Sequence, residues 1–271
     1  MRDMIGSYYA ANNEIKSLKD FDESIMLQGK TIYEVIRVMD GRPLFYDMHI
    51  ERLHKSAELA KVEINISDSL MRDMVKGLIA ADALDDGNIK IAFNNGSLYM
   101  FQIKHRYPDT MDYLSGVSAV LFMGERKDPN IKLIDTEFRN RANEKIQSEN
   151  AYEAILVDHN GYITEGSRSN IFMVKEGSLI TSPGEAVLPG ITRTIIMKAA
   201  ARLNIQVREE RIHYKDINTL DGIFISGTSP KVLPVSMVDG IKFKSAENSI
   251  IQMLMTEYDK IAEEDINNFK Y

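Results

Sequence analysis

The chain has 271 residues, a formal net charge of −7 and no cysteine. The acidic balance argues against a general nucleic-acid binder, though a local basic pocket stays open, and the missing thiols exclude disulfides, a catalytic cysteine and cysteine-based zinc or iron–sulfur centres. Hydrophobic and charged contents of 44% and 27% suit a globular protein with a substantial core, built as one large domain or two smaller ones. No run approaches the roughly 18 apolar residues of a membrane span. The N-terminus has no apolar core of signal type, so a cytoplasmic location is the default expectation.

In chain order, "TIYEVIRVMDGRPLFY" predicts two strands joined by a turn at Asp40-Gly41. "DMHIERLHKSAELAKV" predicts a helix, with Asp47 as N-cap and an apolar stripe of Ile50, Leu53, Ala57 and Ala60. "SLMRDMVKGLIAADAL" reads as a second amphipathic helix, and "NIKIAFNNGSLYMFQIK" as a hairpin turning at Asn95-Gly96. "HRYPDTMDYLSG" breaks the pattern, and a domain boundary is expected near residues 112 to 116. After the strand "VSAVLFM" and the polar "GERKDPN" comes a helix candidate, "RNRANEKIQSENA". A meander follows: "AILVD", "YITEG", "NIFMV", "SLIT". A helix is expected from Thr192, then the strand "GIFIS", the loop "GTSPKVLP" and the helix "AENSIIQMLMTEYDKIAEED". The alternation of strands and helices predicts an α/β fold.

Five short features carry chemical interest, and each has a plain structural reading beside it. Gly190, Ile191 and Thr192 open a helix whose free N–H groups and dipole favour an anion, or they form an ordinary cap with Thr192 as N-cap. Ser226, Gly227, Thr228 and Ser229 follow a strand and suit a phosphate or carboxylate, or make a simple hydroxyl turn. Arg52 is a solvated helix residue or a fork for a phosphate. Lys132, with apolar neighbours, is an edge-strand charge or a desolvated amine nucleophile. Glu165, in a meander that reads as buried, needs a partner: an N–H donor, an Arg such as Arg168, or a protonated ring nitrogen. The histidines at 49, 54, 105, 159 and 213 lack metal-ligand spacing, and His49 and His54 read as helix-surface residues. An amine, a carboxylate and phosphate donors, with no metal set, are together what pyridoxal phosphate requires.

The run "EGSRSNIFMVKEGSLITSPGEAVLPGITR", Glu165 to Arg193, resembles the signature of the class IV, fold-type IV pyridoxal-phosphate enzymes: branched-chain aminotransferases, D-amino acid aminotransferases and aminodeoxychorismate lyases. "YEVIRVMDGRPLFYDMHIERL", "NIKLID" and "FISGTSPKVLPV" resemble further family segments. The resemblance implies a two-domain α/β fold: a small N-terminal domain over residues 1–114, and a larger barrel-like domain over 115–271 that carries the Schiff-base lysine. It implies that Lys132 is that lysine and that Glu165 pairs with the pyridine nitrogen. It implies that Arg52, Gly190, Ile191, Thr192 and Thr228 hold the phosphate, and that Tyr33 and Ser229 meet the substrate. His105 and Arg106, with Lys104, are candidates for its carboxylate. The implied partners are an amino acid, a 2-keto acid and a second copy of the chain; no nucleic acid or membrane is expected. The implied activity is transamination, with release of pyruvate from aminodeoxychorismate, or cofactor binding without turnover, as alternatives. Four positions depart from the pattern. Asp135 stands where an Asn is frequent, "LQGKTI" keeps one glycine of several, the usual arginine strand reads "FQIKHRYPD", and Lys231 replaces a Glu. They bear on the substrate rather than on the cofactor.

Overall fold

The computed structural model describes residues 3–27, 29–105 and 107–271. The chain divides into two compact units: Met1–Arg106 with Ile131–Ile134 and Ala262–Tyr271, and Tyr107–Asn130 with Asp135–Ile261. Among the described residues, no helix is long and apolar enough to cross a membrane.

The first unit contains β1 (Met4–Ala11), β2 (Glu14–Ser17), β3 (Ile32–Met39), β4 (Arg42–Pro43), α1 (Tyr46–Ala60), α2 (Asp68–Ala81), β5 (Gly87–Asn94) and β6 (Ser97–Ile103). Its antiparallel sheet runs β2-β1-β6-β5-β3-β4. Both expected hairpin turns form. Asp40 and Gly41, and Asn95 and Gly96, all take positive φ, the twist a two-residue turn between strands requires. Period-two alternation then sorts β3 by face. Ile32, Ile36 and Val38 join a core with Ile50, Leu53 and Leu78, while Tyr33, Val35 and Arg37 take the other face. Each fully buried Leu or Ile there stabilises by about 1.5–3 kcal/mol.

Two expectations for α1 are corrected. Asp47 lies inside the first turn rather than at the N-cap. Phe45 takes that place in a left-handed conformation, and its N–H donates to Asp265 Oδ2 at 2.6 Å. A carboxylate 220 residues away in sequence thus does what a local cap would otherwise do. His49 is buried, not on the surface, whereas His54 is exposed.

The second unit holds α3 (Thr110–Ser115), β7 (Val117–Met123), α4 (Thr136–Ser148), β8 (Glu153–Val157), β9 (Ile163–Gly166), β10 (Asn170–Lys175), β11 (Ser178–Thr181), α5 (Ile191–Arg202), β12 (Val207–Glu209), β13 (Gly222–Gly227), β14 (Lys231–Val238) and β15 (Ile241–Lys242). The closing helix, α6 (Ser249–Asn268), belongs to this unit up to Ile261 and to the first from Ala262. The sheet runs β12-β11-β10-β13-β14-β7-β8-β9, with β15 on β14. It is mixed: β11–β12, β14–β7 and β7–β8 are parallel. Its central strands are buried on both faces, so they read as continuous apolar runs. Phe172 and Phe224 face each other across β10 and β13, stacked at 5.0 Å.

Candidate active site

In the first unit the short segment Ile131–Ile134 lies along the start of β3. Tyr33 N–H donates to Lys132 O at 3.1 Å, Ile134 N–H to Thr31 O at 3.1 Å, and Leu133 bridges Ile32. Lys132 is therefore not an edge-strand residue of the ladder. Its own N–H donates to Ser56 Oγ on α1 at 3.4 Å. These ties aim its side chain at Tyr33, with Nζ 5.0 Å from the ring centroid. Lys90 Nζ lies 4.6 Å from the same centroid, because the β3–β5 register sets Val35 opposite Lys90 and Tyr33 opposite Ala92. One tyrosine ring thus takes two ammonium groups.

Arg52 does not face solvent. It is 8% exposed and grips the fully buried Glu34 with two parallel bonds, Nε to Oε1 at 2.7 Å and Nη2 to Oε2 at 2.6 Å. His49 Nδ1 lies 2.7 Å from Glu34 Oε2. Burial pushes the Glu34 carboxyl up, but the Arg52 guanidinium and then His49 outweigh it and hold it down at about 2. Burial pushes His49 below its usual value, against the pull of Glu34, and the Arg52 and Lys132 charges add to the lowering. An anionic Glu34 only accepts, so the neutral His49 carries its proton on Nδ1 and donates it.

In the second unit, the polar burst after Tyr162 divides its work. Ser167 Oγ and Ser169 Oγ donate to the two oxygens of the buried Glu153, at 2.6 and 2.9 Å. Gly166 N–H donates to Ser169 O at 2.7 Å, which closes the turn. A side chain at Gly166 would collide with Ser169 and Glu153. Glu165 faces a different set. It is 3% exposed; Leu188 N–H donates to Oε2 at 3.0 Å, Asn170 Nδ2 to the same oxygen at 3.4 Å, and Arg126 Nη1 lies 3.4 Å from Oε1. Arg168 is bound to Asn143 Oδ1 at 2.5 Å, so the arginine on Glu165 is Arg126. Asn170 also donates to Leu188 O at 2.9 Å, which ties β10 to the chain entering α5.

Helix α5 begins at Ile191, one residue before the expected start, and its N-cap is Gly190 with no side-chain cap, so Thr192 lies inside the first turn. Its first N–H groups keep their donor capacity and the positive end of the dipole. Arg193 anchors the helix through Ser182 O at 3.1 Å and Glu209 Oε1 at 2.9 Å. A Cβ at Gly190 would run into the Asn170 side chain. Ser226 Oγ, at the end of β13, is buried without a hydrogen-bond partner, and Gly227, Thr228 and Ser229 follow it half-buried. An uncapped helix start, an orphaned hydroxyl and a hydroxyl loop form a donor set that fits a phosphate. The buried carboxylate of Glu165 fits a protonated ring nitrogen. These residues therefore fit pyridoxal phosphate.

Of the carboxylate candidates, Lys104 follows β6 with its N–H on Asp3 O at 2.5 Å, and His105 is half-buried beside it. Arg106 lies outside the described residues. Sequence reasoning missed Glu34, His49, Lys90, Arg126 and Glu153. For α1 a signal existed: His49, Arg52 and Ser56 recur at helical spacing alongside the stripe of Ile50, Leu53 and Ala57, and all are buried. For Arg126 and Glu153 no local pattern exists, because their partners lie 39 and 14–16 residues away.

A profile of amino-transferase class IV matches residues 31–238. The chain belongs to the class IV aminotransferases. Among relatives of this family, branched-chain-amino-acid aminotransferase-like protein 1 of Arabidopsis thaliana is 27% identical over 93% of this chain, which spans 49% of that protein. The chain therefore covers about half of that relative's length. D-alanine aminotransferase of Bacillus licheniformis is 27% identical, over 78% of this chain and 80% of its own. The crystal structure of the Escherichia coli branched-chain amino acid aminotransferase superposes with a TM-score of 0.86 at 24% identity and 95% coverage of both chains. That likeness establishes the class IV aminotransferase α/β fold for this chain.

Proposed function

We infer that the protein is a pyridoxal-phosphate-dependent aminotransferase that moves an amino group between an amino acid and a 2-keto acid. Glu165 carries the reading: a carboxylate buried this completely has a purpose when a protonated ring nitrogen faces it. When bound, pyridoxal phosphate supplies an aldehyde that condenses with amines and a ring that draws electrons from the substrate α-carbon. Lys132 would hold the cofactor through its amine and, once released, move the proton at the substrate α-carbon as general base and acid. Glu165 would keep the proton on the ring nitrogen. Arg52, held in place by Glu34, would bind the phosphate together with the N–H groups of Ile191 and Thr192, the tight turn at Gly190, and Thr228.

Tyr33 and Ser229 would orient the amino acid, with His105, Arg106 or Lys104 on its carboxylate. Lys90 adds a cation on the Tyr33 ring, a partner for an anionic group of the substrate. Relatives named for branched-chain amino acids and for D-alanine support both classes as candidate donors. A homodimer in the cytoplasm belongs to the same reading. Lys132→Ala should abolish the visible absorption that appears when pyridoxal phosphate is added to the protein, along with transamination. Colour and turnover that survive the substitution would sink the assignment.

A further inference from the structure

We propose that Arg126 is a positioning residue for the cofactor's ring nitrogen, acting through Glu165; the inference rests on the cofactor reading above. Arg126 belongs to the loop 124–130 that follows β7, and three ties fix that loop within the second unit. Gly124 N–H donates to Val157 O at 2.9 Å. Glu125 pairs with His159 Nδ1 at 2.9 Å. Asn130 Nδ2 donates to Gly184 O at 2.9 Å and to Val187 O at 2.7 Å. From this braced loop the Arg126 guanidinium meets Oε1 of Glu165, while Oε2 is held by Leu188 N–H and Asn170. In these bonds neutral amides meet one oxygen and a positive charge meets the other.

That asymmetry has a chemical consequence. A carboxylate buried without a cation favours its neutral form, and would draw the proton off a pyridine ring placed against it. A guanidinium on the carboxylate opposes this. It keeps Glu165 charged and weakly basic, so the shared proton stays on the ring nitrogen.

The test is titration of pyridoxal phosphate into the cofactor-depleted full chain, with nitrogen-15 spectra of ring-labelled cofactor in the loaded protein. Arg126→Gln should weaken binding roughly tenfold and move the ring nitrogen signal from the protonated toward the unprotonated position. Arg126→Lys, which keeps the charge, should retain most of both. In a Glu165→Gln background, Arg126→Gln should cost less than about twofold, because the group it acts through is gone. Wild-type affinity and an unmoved nitrogen signal in Arg126→Gln would overturn the proposal. So would weakened affinity with an unmoved signal, or an equal loss in the Glu165→Gln background, since either assigns Arg126 to loop packing. If the wild-type chain takes up no pyridoxal phosphate, the functional reading fails first, and this inference with it.

Discussion

Glu34 and Glu165 are both buried carboxylates, and each meets an arginine from another part of the chain. For Glu34 the grip is tight enough to set a pH dependence. The unfolded chain takes up a proton at Glu34 near 4.5, whereas the folded chain does so at about 2. The stabilisation, about 3 kcal/mol at its upper bound, is therefore present above pH 4.5 and lost as pH falls toward 2. His49 has the same sign: its folded value lies below 6.5, so its contribution falls away as pH drops below 6.5. Urea midpoints should thus decline between about pH 7 and about pH 5, and His49→Gln should flatten that decline; an unchanged slope would contradict the assignment. Glu34→Gln, which leaves Arg52 buried without its anion, should destabilise by about 3–5 kcal/mol at neutral pH, read from the same denaturation curves. Little of this was legible beforehand. Glu34 sits in "TIYEVIR" as one more polar residue of an alternating strand, and only the sheet's packing on α1 reveals that it faces inward.

Elements were legible where local chemistry decides them. Asp40-Gly41 and Asn95-Gly96 announce their hairpins because few other residues accept positive φ twice in succession. The helix at α2 announces itself through its amphipathic pattern, while the cap that starts it, Ser67 Oγ accepting from Leu70 N–H, was not read. Elements decided at long range were not. The start of α1 depends on Asp265. The strands β1 and β2 have too few inward apolar residues to show a period. The short helix α3 is carried by a capping box between Asp109 and Asp112, inside a stretch that reads as a break. The start of α5 supplies a prediction. Gly190→Ala keeps the backbone comfortable, at φ −64, but forces its Cβ into Asn170. It should lower the thermal midpoint, by a cost of about 1–3 kcal/mol, and weaken pyridoxal phosphate binding by moving the group that ties Leu188 to Glu165. A variant with unchanged midpoint and affinity would show that Asn170 can yield.

At the scale of the whole molecule, the α/β class followed from alternating periodicities, and the family from the long run between Glu165 and Arg193. Which residues share a compact unit did not follow. Ile131–Ile134 and Ala262–Tyr271 join the first unit, because a few backbone bonds to β3 and packing near α1 outweigh their position in the chain. Substrate class was also out of reach. In the proposed reading it would depend on which cations share a face, and Lys90 joins Tyr33 only through strand register. If one lysine carries the cofactor, borohydride reduction of the protein with pyridoxal phosphate, followed by peptide mass mapping, should find a single phosphopyridoxyl group on the peptide containing Lys132. A label on another lysine, or one spread over surface lysines with Lys132 unmodified, would contradict it.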